Sequence, residues 1–462
     1  MRLSHGPREV LVRFDEPNLV SCAGLVPVMR LAEQVGLAGL VDGRVRPELP
    51  AGARPGGKAA AVVAGMVAGA DSIDDLDLLR HGGMKALFDG VYAPSTLGSF
   101  LRFFTWGHGL QLEAASRDLL TALAERVPLL PGAAQQVFVD VDSLLRRVYG
   151  HAKQGAGFGH AKVGGYKVKL RGLSPLIATI STPAAAPVIA ATRLRAGNAA
   201  SARAAASLVR QAITTARACG ADGNILVRGD SSFGSGAVVS ACRKAGANFS
   251  VTMQSNSKVA AAIAGIDETA WRPVRYPGAV LDETTGQWIS DAEVAETAYT
   301  AFETTQHKVT ARLVVRRVRE KNPAPAGQEE LFPIWRHHQF LTDDDSSTVE
   351  ADLTHRAHAI QEQVFADLID GPLAHLPSGR FAANAAWLTL AAMAHNLTRA
   401  AGCRAGTTGS VHAKARAATL INIPARIARH ARRLILHLPT GWRWRHDWQR
   451  LFTNTVSPPA TI

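Results

Sequence analysis

Two aspartates, Asp140 and Asp142, alternate along an apolar stretch whose β-branched residues predict a strand from Val137 to Leu145. Alternate residues of a strand share a face, so both carboxylates are expected on the side that also carries Phe138. Carboxylate oxygens are the ligands that hard divalent cations prefer, and two of them near a strand end therefore predict a metal site. Taken singly, either residue is also typical of an aspartate that forms a turn after a strand.

A further carboxylate, Asp230, follows the apolar run ILVRG, where a predicted strand ends and the segment DSSFGSG begins. A helix is predicted from about Ser235 to Ala245, so this side chain leaves the carboxyl end of a strand just before a helix. Ligands of α/β proteins commonly bind at that position. A lone aspartate there is also typical of a helix N-cap, and the segment alone leaves both interpretations open.

Glu362 lies in a run of helical periodicity from Ser347 to Ile369, with His355 and His358 seven and four positions before it. A continuous helix would place these three side chains on one face. The same pattern is typical of a solvated helix face whose residues make ordinary contacts with their neighbours one turn away.

The functional interpretation rests on the carboxylates taken together. If Asp142, Asp230 and Glu362 converge, they can hold two divalent ions between a water, a phosphodiester and its leaving oxygen. An all-oxygen ligand set suits Mg²⁺ or Mn²⁺.

The order of predicted elements indicates how these residues would be positioned. Helical periodicity dominates from about Leu19 to Leu130, and these helices either carry a helix-turn-helix for DNA or simply pack together. A meander of strands follows, then helix, strand, helix and strand, which is the order of a mixed-sheet α/β domain. The predicted divisions are a helical N-terminal domain (1–132), a first part of the core (133–254), a β-rich insertion (255–340), a second part with the Glu362 helix (341–402) and a basic helical C-terminal tail (403–462).

Several segments in this order resemble a known family: VDVDSLLRRVYG, GYKVKLRGLSPLIA, LRAGNAAS, VRGDSSFGSG and HRAHAIQEQVFADL. From about Val137 to Gly402 the chain resembles the DDE transposases of bacterial insertion sequences. The resemblance implies an RNase H-like mixed sheet with a β-rich insertion, flanked by helical N- and C-terminal regions. It also implies Asp142, Asp230 and Glu362 as catalytic acids and metal ligands, with Asp140 as the rival to Asp142.

In enzymes of this kind the acids bind two Mg²⁺ or Mn²⁺ ions, a phosphodiester at the element's end is hydrolysed, and the freed 3′ hydroxyl attacks target DNA. Joining two ends implies a homodimer on DNA. The third motif departs from the family pattern of Tyr, then Arg, Glu and Lys, because the corresponding residues are His355, His358, Glu362 and Ile369. Only the glutamate is kept, and His358 could still donate to a phosphate if protonated.

The formal net charge of +13 and a pI near 10.0 favour a polyanionic partner, with nucleic acid as the first candidate. The cations are most concentrated after residue 398, where Asp447 is the single acid. This tail contains Arg399, Arg404, Lys414, Arg416, Arg426, Arg429, Arg432, Arg433, Arg443, Arg445 and Arg450. We expect it to contact DNA phosphates, whereas Trp442, Trp444 and Trp448 are more typical of packing than of base stacking.

Two further basic clusters lie within the core and the insertion. Lys167, Lys169 and Arg171 alternate along a predicted strand, so one face could follow a DNA backbone. The other cluster, in the predicted insertion, comprises Arg312, Arg316, Arg317, Arg319 and Lys321. These side chains either contact the cleaved DNA end or protect an edge strand by their charge.

Absent motifs restrict the alternatives. The sequence has no HExxH, GxSxG or P-loop, and its four cysteines form no CxxC pair. No signal peptide or membrane span is evident, so a cytoplasmic, nucleoid-associated protein is expected. A decayed or purely DNA-binding protein and another RNase H-like nuclease remain alternatives. The charge disfavours a two-carboxylate glycoside hydrolase.

Overall fold

The computed structural model describes residues 10–48, 50–163, 166–200, 202–286, 288–319, 334–406 and 416–456, without the side chains of residues 162, 163 and 167. The α-helices are α1 (Leu25–Gln34), α2 (Leu37–Arg44), α3 (Pro55–Ala68), α4 (Pro94–Phe103), α5 (Trp106–Arg126), α6 (Ala205–Ala218), α7 (Gly236–Lys244), α8 (Ser257–Ala264), α9 (Thr348–Arg356), α10 (Gln361–Ile369), α11 (Phe381–Arg404) and α12 (Arg445–Val456). Short 3₁₀ turns include Asp74–Arg80, Gly82–Ala86 and Ala357–Ile360.

The strands are β1 (Leu19–Val20), β2 (Gln136–Ser143), β3 (Arg146–Arg147), β4 (Gly157–Val163), β5 (Tyr166–Thr182), β6 (Ala185–Ala196), β7 (Asn224–Gly229), β8 (Asn248–Thr252), β9 (Arg272–Pro273), β10 (Val280–Leu281), β11 (Trp288–Ile289), β12 (Ala292–Ala301), β13 (Val309–Arg319), β14 (Trp335–Thr342), β15 (Ala425–His430) and β16 (Arg433–His437).

A large mixed sheet forms the centre of the fold. Its strand order is β3-β5-β2-β7-β8-β14-β13-β12-β9, and β4 and β6 also pair with β5. The pairs β2–β7 and β7–β8 are parallel, whereas β2 pairs with β5 in the antiparallel sense. This arrangement confirms the predicted mixed α/β class and is consistent with an RNase H-like fold.

The insertion adds its strands to the same sheet. Phe340 and Leu341 of β14 lie opposite Thr252 and Val251 of β8, and β13 and β12 follow in sequence across the sheet. The strands predicted between residues 255 and 340 are therefore present. They form an extension of the core sheet, with a hydrogen-bonded ladder across the junction.

The N-terminal helices share one hydrophobic core with the sheet. At its centre lies α11, which contacts α1, α3, α5 and β6 and is buried along most of its length. The side chain of Asn396 accepts from the Ile189 amide at 2.7 Å and donates to its carbonyl at 2.8 Å, which fixes α11 against β6. Within the described ranges, no helix is both long and apolar enough to cross a membrane.

The C-terminal region differs from the predicted helical tail. Its residues Ala425–His430 and Arg433–His437 form an antiparallel hairpin that also pairs with β1, and only Arg445–Val456 is a regular α-helix after α11 among the described residues. The segments ARIARH and RLILH each contain one β-branched residue, Ile427 and Ile435, and β1 provides hydrogen-bonding partners for β15. The prediction of helix here was wrong because tertiary pairing decides the state of such short segments.

Candidate active site

Two of the predicted acids lie at the ends of neighbouring parallel strands. In the ladder between β2 and β7, Asp140 lies opposite Arg228 and Val141 opposite Gly229. Continuing this register by one residue places Asp142 opposite Asp230, on strands about 4.8 Å apart. Both side chains are half-buried. The register thus brings two carboxylates to the carboxyl ends of adjacent parallel strands, which form the acidic edge.

Backbone amides orient both carboxylates. Asp142 Oδ1 accepts from the Ser143 amide at 2.6 Å, and Asp230 Oδ1 accepts from the Ser232 amide at 2.8 Å. The N-cap of α7 is Ser235, so the alternative interpretation of Asp230 as a helix cap does not apply. Asp142 is therefore held by the next residue of its own strand, and Asp230 is held by the turn that follows β7.

A buried cation lies near Asp142. Burial lowers the pKa of Arg195 to about 10, and the negative charge of Asp142 opposes this shift. The guanidinium donates to Ser174 Oγ at 2.9 Å and to the Arg203 carbonyl at 3.2 Å. Arg195 lies in the LRAGNAAS segment. The spacing of residues along the sequence does not indicate that it lies near Asp142.

Asp140 has a different environment from Asp142. It is only 1% exposed, and its two oxygens accept from Arg228 Nε and Nη2, both at 2.7 Å. The same guanidinium lies over the Phe138 ring, 4.1 Å from its centroid, and donates to the Thr354 carbonyl at 2.7 Å. Because this ion pair occupies both carboxylate oxygens, the geometry disfavours the prediction that Asp140 is a metal ligand.

The predicted single helix around Glu362 is interrupted. Helix α9 ends at Arg356, a 3₁₀ turn spans Ala357–Ile360, and α10 begins at Gln361. His355 is buried while Glu362 is exposed, so the prediction that the two share one helix face was wrong. The turn changes the phase of the helix immediately before the glutamate.

Four hydrogen bonds hold this interrupted segment against the sheet. The Thr354 carbonyl accepts from Arg228, and the His355 ring nitrogens lie 2.8 Å from Ser250 Oγ and 2.9 Å from Thr252 Oγ1. Buried Gln361 donates its Nε2 to the Ile177 carbonyl at 3.0 Å.

The last of these contacts is close to the acidic edge, because Ile177 of β5 is the register partner of Asp142. The backbone of Glu362 follows Gln361 directly, so it is anchored beside the strand that carries Asp142. No sequence motif signalled this role of Gln361, which depends on the packing of α10 across the sheet.

Whether the acidic edge can bind a metal ion depends on which ligand atoms it offers. In the part of the chain that the structure describes, no three His, Cys, Asp or Glu side chains converge in a ready-made cluster. Asp142 and Asp230 do offer half-buried oxygen donors at one edge, which fits a hard divalent cation, and Glu362 is anchored nearby. The arrangement provides two half-buried candidate ligands, whereas the side chain of Glu362 is exposed.

His355 makes a pH-dependent contribution to stability. Burial, followed by the charges of His358, Arg228 and Arg316, lowers its pKa from 6.5 to about 3. The unfolded chain therefore takes up a proton that the folded chain excludes. The contribution of neutral His355 to the free energy of unfolding is complete above pH 6.5 and is lost as the pH falls from 6.5 towards 3.

We expect His355→Gln to flatten the pH dependence of the unfolding free energy between pH 6 and pH 4 by about 1.4 kcal/mol per pH unit. Urea denaturation across this range measures it, with exposed His446→Gln as the control. An unchanged slope in His355→Gln would show that the folded protein protonates this ring.

Most of the predicted DNA-contacting arginines are on the surface. The exposed set is Arg426, Arg429, Arg432, Arg433, Arg443, Arg445 and Arg450, of which Arg450 pairs with Asp447 at 2.5 Å. Others in the C-terminal region have structural positions: Arg399 and Arg416 are buried, and Arg404 donates to the Arg126 carbonyl at 2.6 Å. Trp448 is buried, in agreement with packing, and Lys414 lies outside the described residues.

The cluster in the insertion is largely neutralised by acids. Arg312 pairs with Glu296, Arg316 lies 3.7 Å from Asp352, and Arg317 pairs with both Glu268 and Glu293. Strand β13 lies between β12 and β14, so the interpretation as a charged edge strand was wrong. Lys321 lies outside the described residues.

The basic strand β5 continues beyond the main sheet as a hairpin with β4. Lys169 is exposed, with its amino group 5.9 Å from the centroid of the Phe158 ring. Arg171 donates to the Gly150 carbonyl at 2.7 Å, which leaves it less able to contact DNA. The Lys167 side chain lies outside the described residues.

The fold and the paired acids define a mixed α/β protein with an acidic edge at the ends of parallel strands. The family model for the transposase DDE domain, group 1, matches residues 4–457, and the chain belongs to this transposase family. Among curated proteins, none matches the sequence. A solved structure of the piggyBac transposase in a synaptic complex with hairpin DNA is similar at a TM-score of 0.40 and 9% identity, covering 95% of this chain and 82% of that one.

Proposed function

We propose that this DDE transposase binds the ends of an insertion sequence and catalyses metal-dependent hydrolysis and strand transfer, with Asp142, Asp230 and Glu362 as its catalytic acids. The observation that carries the proposal is the register of β2 and β7, which brings Asp142 and Asp230 to one edge. The anchoring of Gln361 beside β5 supports the third assignment.

The chain's own groups prepare the edge for this chemistry. The Ser143 amide fixes one oxygen of Asp142, and the Ser232 amide fixes one oxygen of Asp230. Glu362 is exposed in the first turn of α10, where a carboxylate is also favoured by the helix dipole. When bound there, Mg²⁺ or Mn²⁺ would lower the pKa of a water and neutralise charge on the leaving oxygen.

The proposed partners are the terminal repeats of the element and a target DNA. Support comes from the net charge of +13 and from the exposed arginines of the C-terminal region. Joining two ends in one reaction favours a homodimer on DNA. Such an enzyme would act on chromosomal DNA in the bacterial cytoplasm.

The decisive experiment uses labelled duplexes with the ends of the element that encodes the chain, in Mg²⁺ or in EDTA. We expect nicking and strand transfer only with the metal. Glu362→Gln should lower both by about a hundredfold, because the amide keeps one oxygen but loses the charge that the metal needs.

Exposed Glu125→Gln on α5 is the matched control, since it removes an equal charge from a helix surface. Binding without cutting would support a decayed or purely DNA-binding protein. Nicking without joining would support another RNase H-like nuclease.

A further inference from the structure

The hairpin of β15 and β16, here called the ribbon, has two distinct faces. Opposed residues of an antiparallel pair share a face. The pairs Arg426–His437, Ala428–Ile435 and His430–Arg433 lie on one side, and Ile427–Leu436 and Arg429–Leu434 on the other. Ile427 is buried and Leu436 packs on the core, so the first set faces outward.

Beyond the Ile427–Leu436 pair the ribbon projects from the body of the protein. Every residue from Arg429 to Ile435 is exposed. Three further residue pairs at about 3.4 Å per residue give a projection of about 10 Å. An isolated two-stranded hairpin gains little from its own packing, so a projection of this kind suits a binding role.

Among the described residues, acids balance only a small part of the charge of the ribbon. From Ala425 to His437 the sequence contains four arginines and two histidines and no acid. Among the ion pairs of the described residues, Arg426 has Glu16 at 3.6 Å, whereas Arg429, Arg432 and Arg433 take part in none. The arginines of β13 are in contrast largely paired with acids.

We infer that the ribbon enters the major groove of the element's terminal DNA and reads base edges with its outward face, an inference that rests on the proposed function. The major groove is about 12 Å wide and about 8.5 Å deep and admits a two-stranded ribbon. The projection is of matching length. Unbalanced arginines on both strands meet the phosphates on the two sides of the groove.

The outward face also contains an apolar element. Ile435 is 40% exposed and lies opposite Ala428, between the His430–Arg433 and Arg426–His437 pairs. An aliphatic side chain surrounded by cations suits the C5 methyl group of thymine, which distinguishes that base in the major groove. Ile435 is thus assigned as a specificity-determining residue, with Arg433 beside it as a donor to base edges or phosphate.

The first experiment measures the binding of an element-end duplex and a shuffled duplex against salt concentration. The triple variant Arg429→Ala, Arg432→Ala, Arg433→Ala should reduce the slope of log affinity against log salt by about 2.7, or about 0.9 per lost phosphate contact. The matched triple Arg210→Ala, Arg243→Ala, Lys244→Ala removes the same charge from exposed positions of α6 and α7 and should leave the slope unchanged.

The second experiment tests base reading. Ile435→Ala should reduce the preference for the element end over the shuffled duplex about tenfold. Leu434→Ala, at an equally exposed position on the opposite face, should not. Replacing the contacted thymine with uracil removes its methyl group and should weaken binding by the wild type as much as Ile435→Ala does. It should not further weaken binding by the Ile435→Ala variant.

The inference is overturned if the two triple variants have the same salt slope, or if the two single variants have the same preference for the element end. The transposase proposal stays intact in that case if the wild type still cuts and joins DNA. Ribbon variants that bind DNA normally but dissociate a dimer would assign the ribbon to subunit contact and overturn the inference as well. Failure of wild type to bind or cut any duplex would instead remove the proposed function.

Discussion

Replacing Asp230 with alanine is expected to lower DNA strand cleavage by about a thousandfold or more while leaving duplex affinity unchanged or raised. Asp230 and Asp142 are the two acids already placed at one edge by the β2–β7 register. Under the proposed function, removing one of them takes away a metal ligand and, with it, several kcal/mol of charge stabilisation in the transition state. The same change removes a negative charge that repels phosphate.

The control lies just before the other end of the same strand. Exposed Asp222 precedes β7, whereas Asp230 follows it, so Asp222→Asn removes a similar charge at the opposite end of the strand. Cleavage and binding are measured on one labelled duplex in Mg²⁺. Undiminished cleavage by Asp230→Ala would falsify its assignment as the second acid.

Replacing Arg228 with methionine is expected to lower the free energy of unfolding by about 3–5 kcal/mol. The ion pair with Asp140 is almost fully buried, with side chains 2% and 1% exposed. Removing the guanidinium leaves a buried carboxylate without its partner, and the Thr354 carbonyl loses a donor. Urea denaturation monitored by circular dichroism measures the loss.

The double variant Asp140→Leu, Arg228→Met should recover most of this stability, because apolar side chains of similar volume replace the whole pair. It also separates the two neighbouring aspartates. If Asp140 has only a structural role, the folded double variant keeps measurable cleavage, whereas Asp142→Ala loses it. Equal loss in both would restore Asp140 as a metal ligand.

The strands that carry the acids could be predicted because their local signals agree with their tertiary role. The alternation in VFVDVD and the apolar run ILVRG indicate strands, and both are present as β2 and β7. What alternation cannot indicate is register. In the observed register, Asp140 lies opposite Arg228 and Asp142 lies opposite the residue that follows β7. A shift of one residue between these segments, which are 88 residues apart, would change both pairings.

The Glu362 segment shows the limit of periodicity. Its apolar spacing fits a continuous helix, but His355 is drawn into the sheet by Ser250 and Thr252, and its ring stacks on Phe340 at 4.1 Å. Gln361 is drawn to β5 in the same way. Satisfying both contacts breaks the helix between them, and a single sequence contains no signal for such a long-range compromise.

The basic clusters looked alike in sequence and differ in the fold. Arg317 of β13 is enclosed by Glu268, Glu293 and the rings of Trp271 and Trp335. Arg432, at the tip of the ribbon, is exposed. Charge balance is a property of neighbours in space, so counting cations along the chain could not separate a structural arginine from a free one.

The ladder that joins β8 to β14 has a consequence for engineering and for the evolution of this chain. A segment attached through flexible linkers can be exchanged or deleted, but here β14 pairs with β8 through Phe340, Leu341 and Thr342 and covers the hydrogen-bonding edge of β8. Deleting β14 together with the rest of the insertion would expose that edge in the centre of the molecule and invite pairing with other chains. The insertion is therefore best regarded as a permanent part of the scaffold, and shortened versions of this enzyme should retain at least β14.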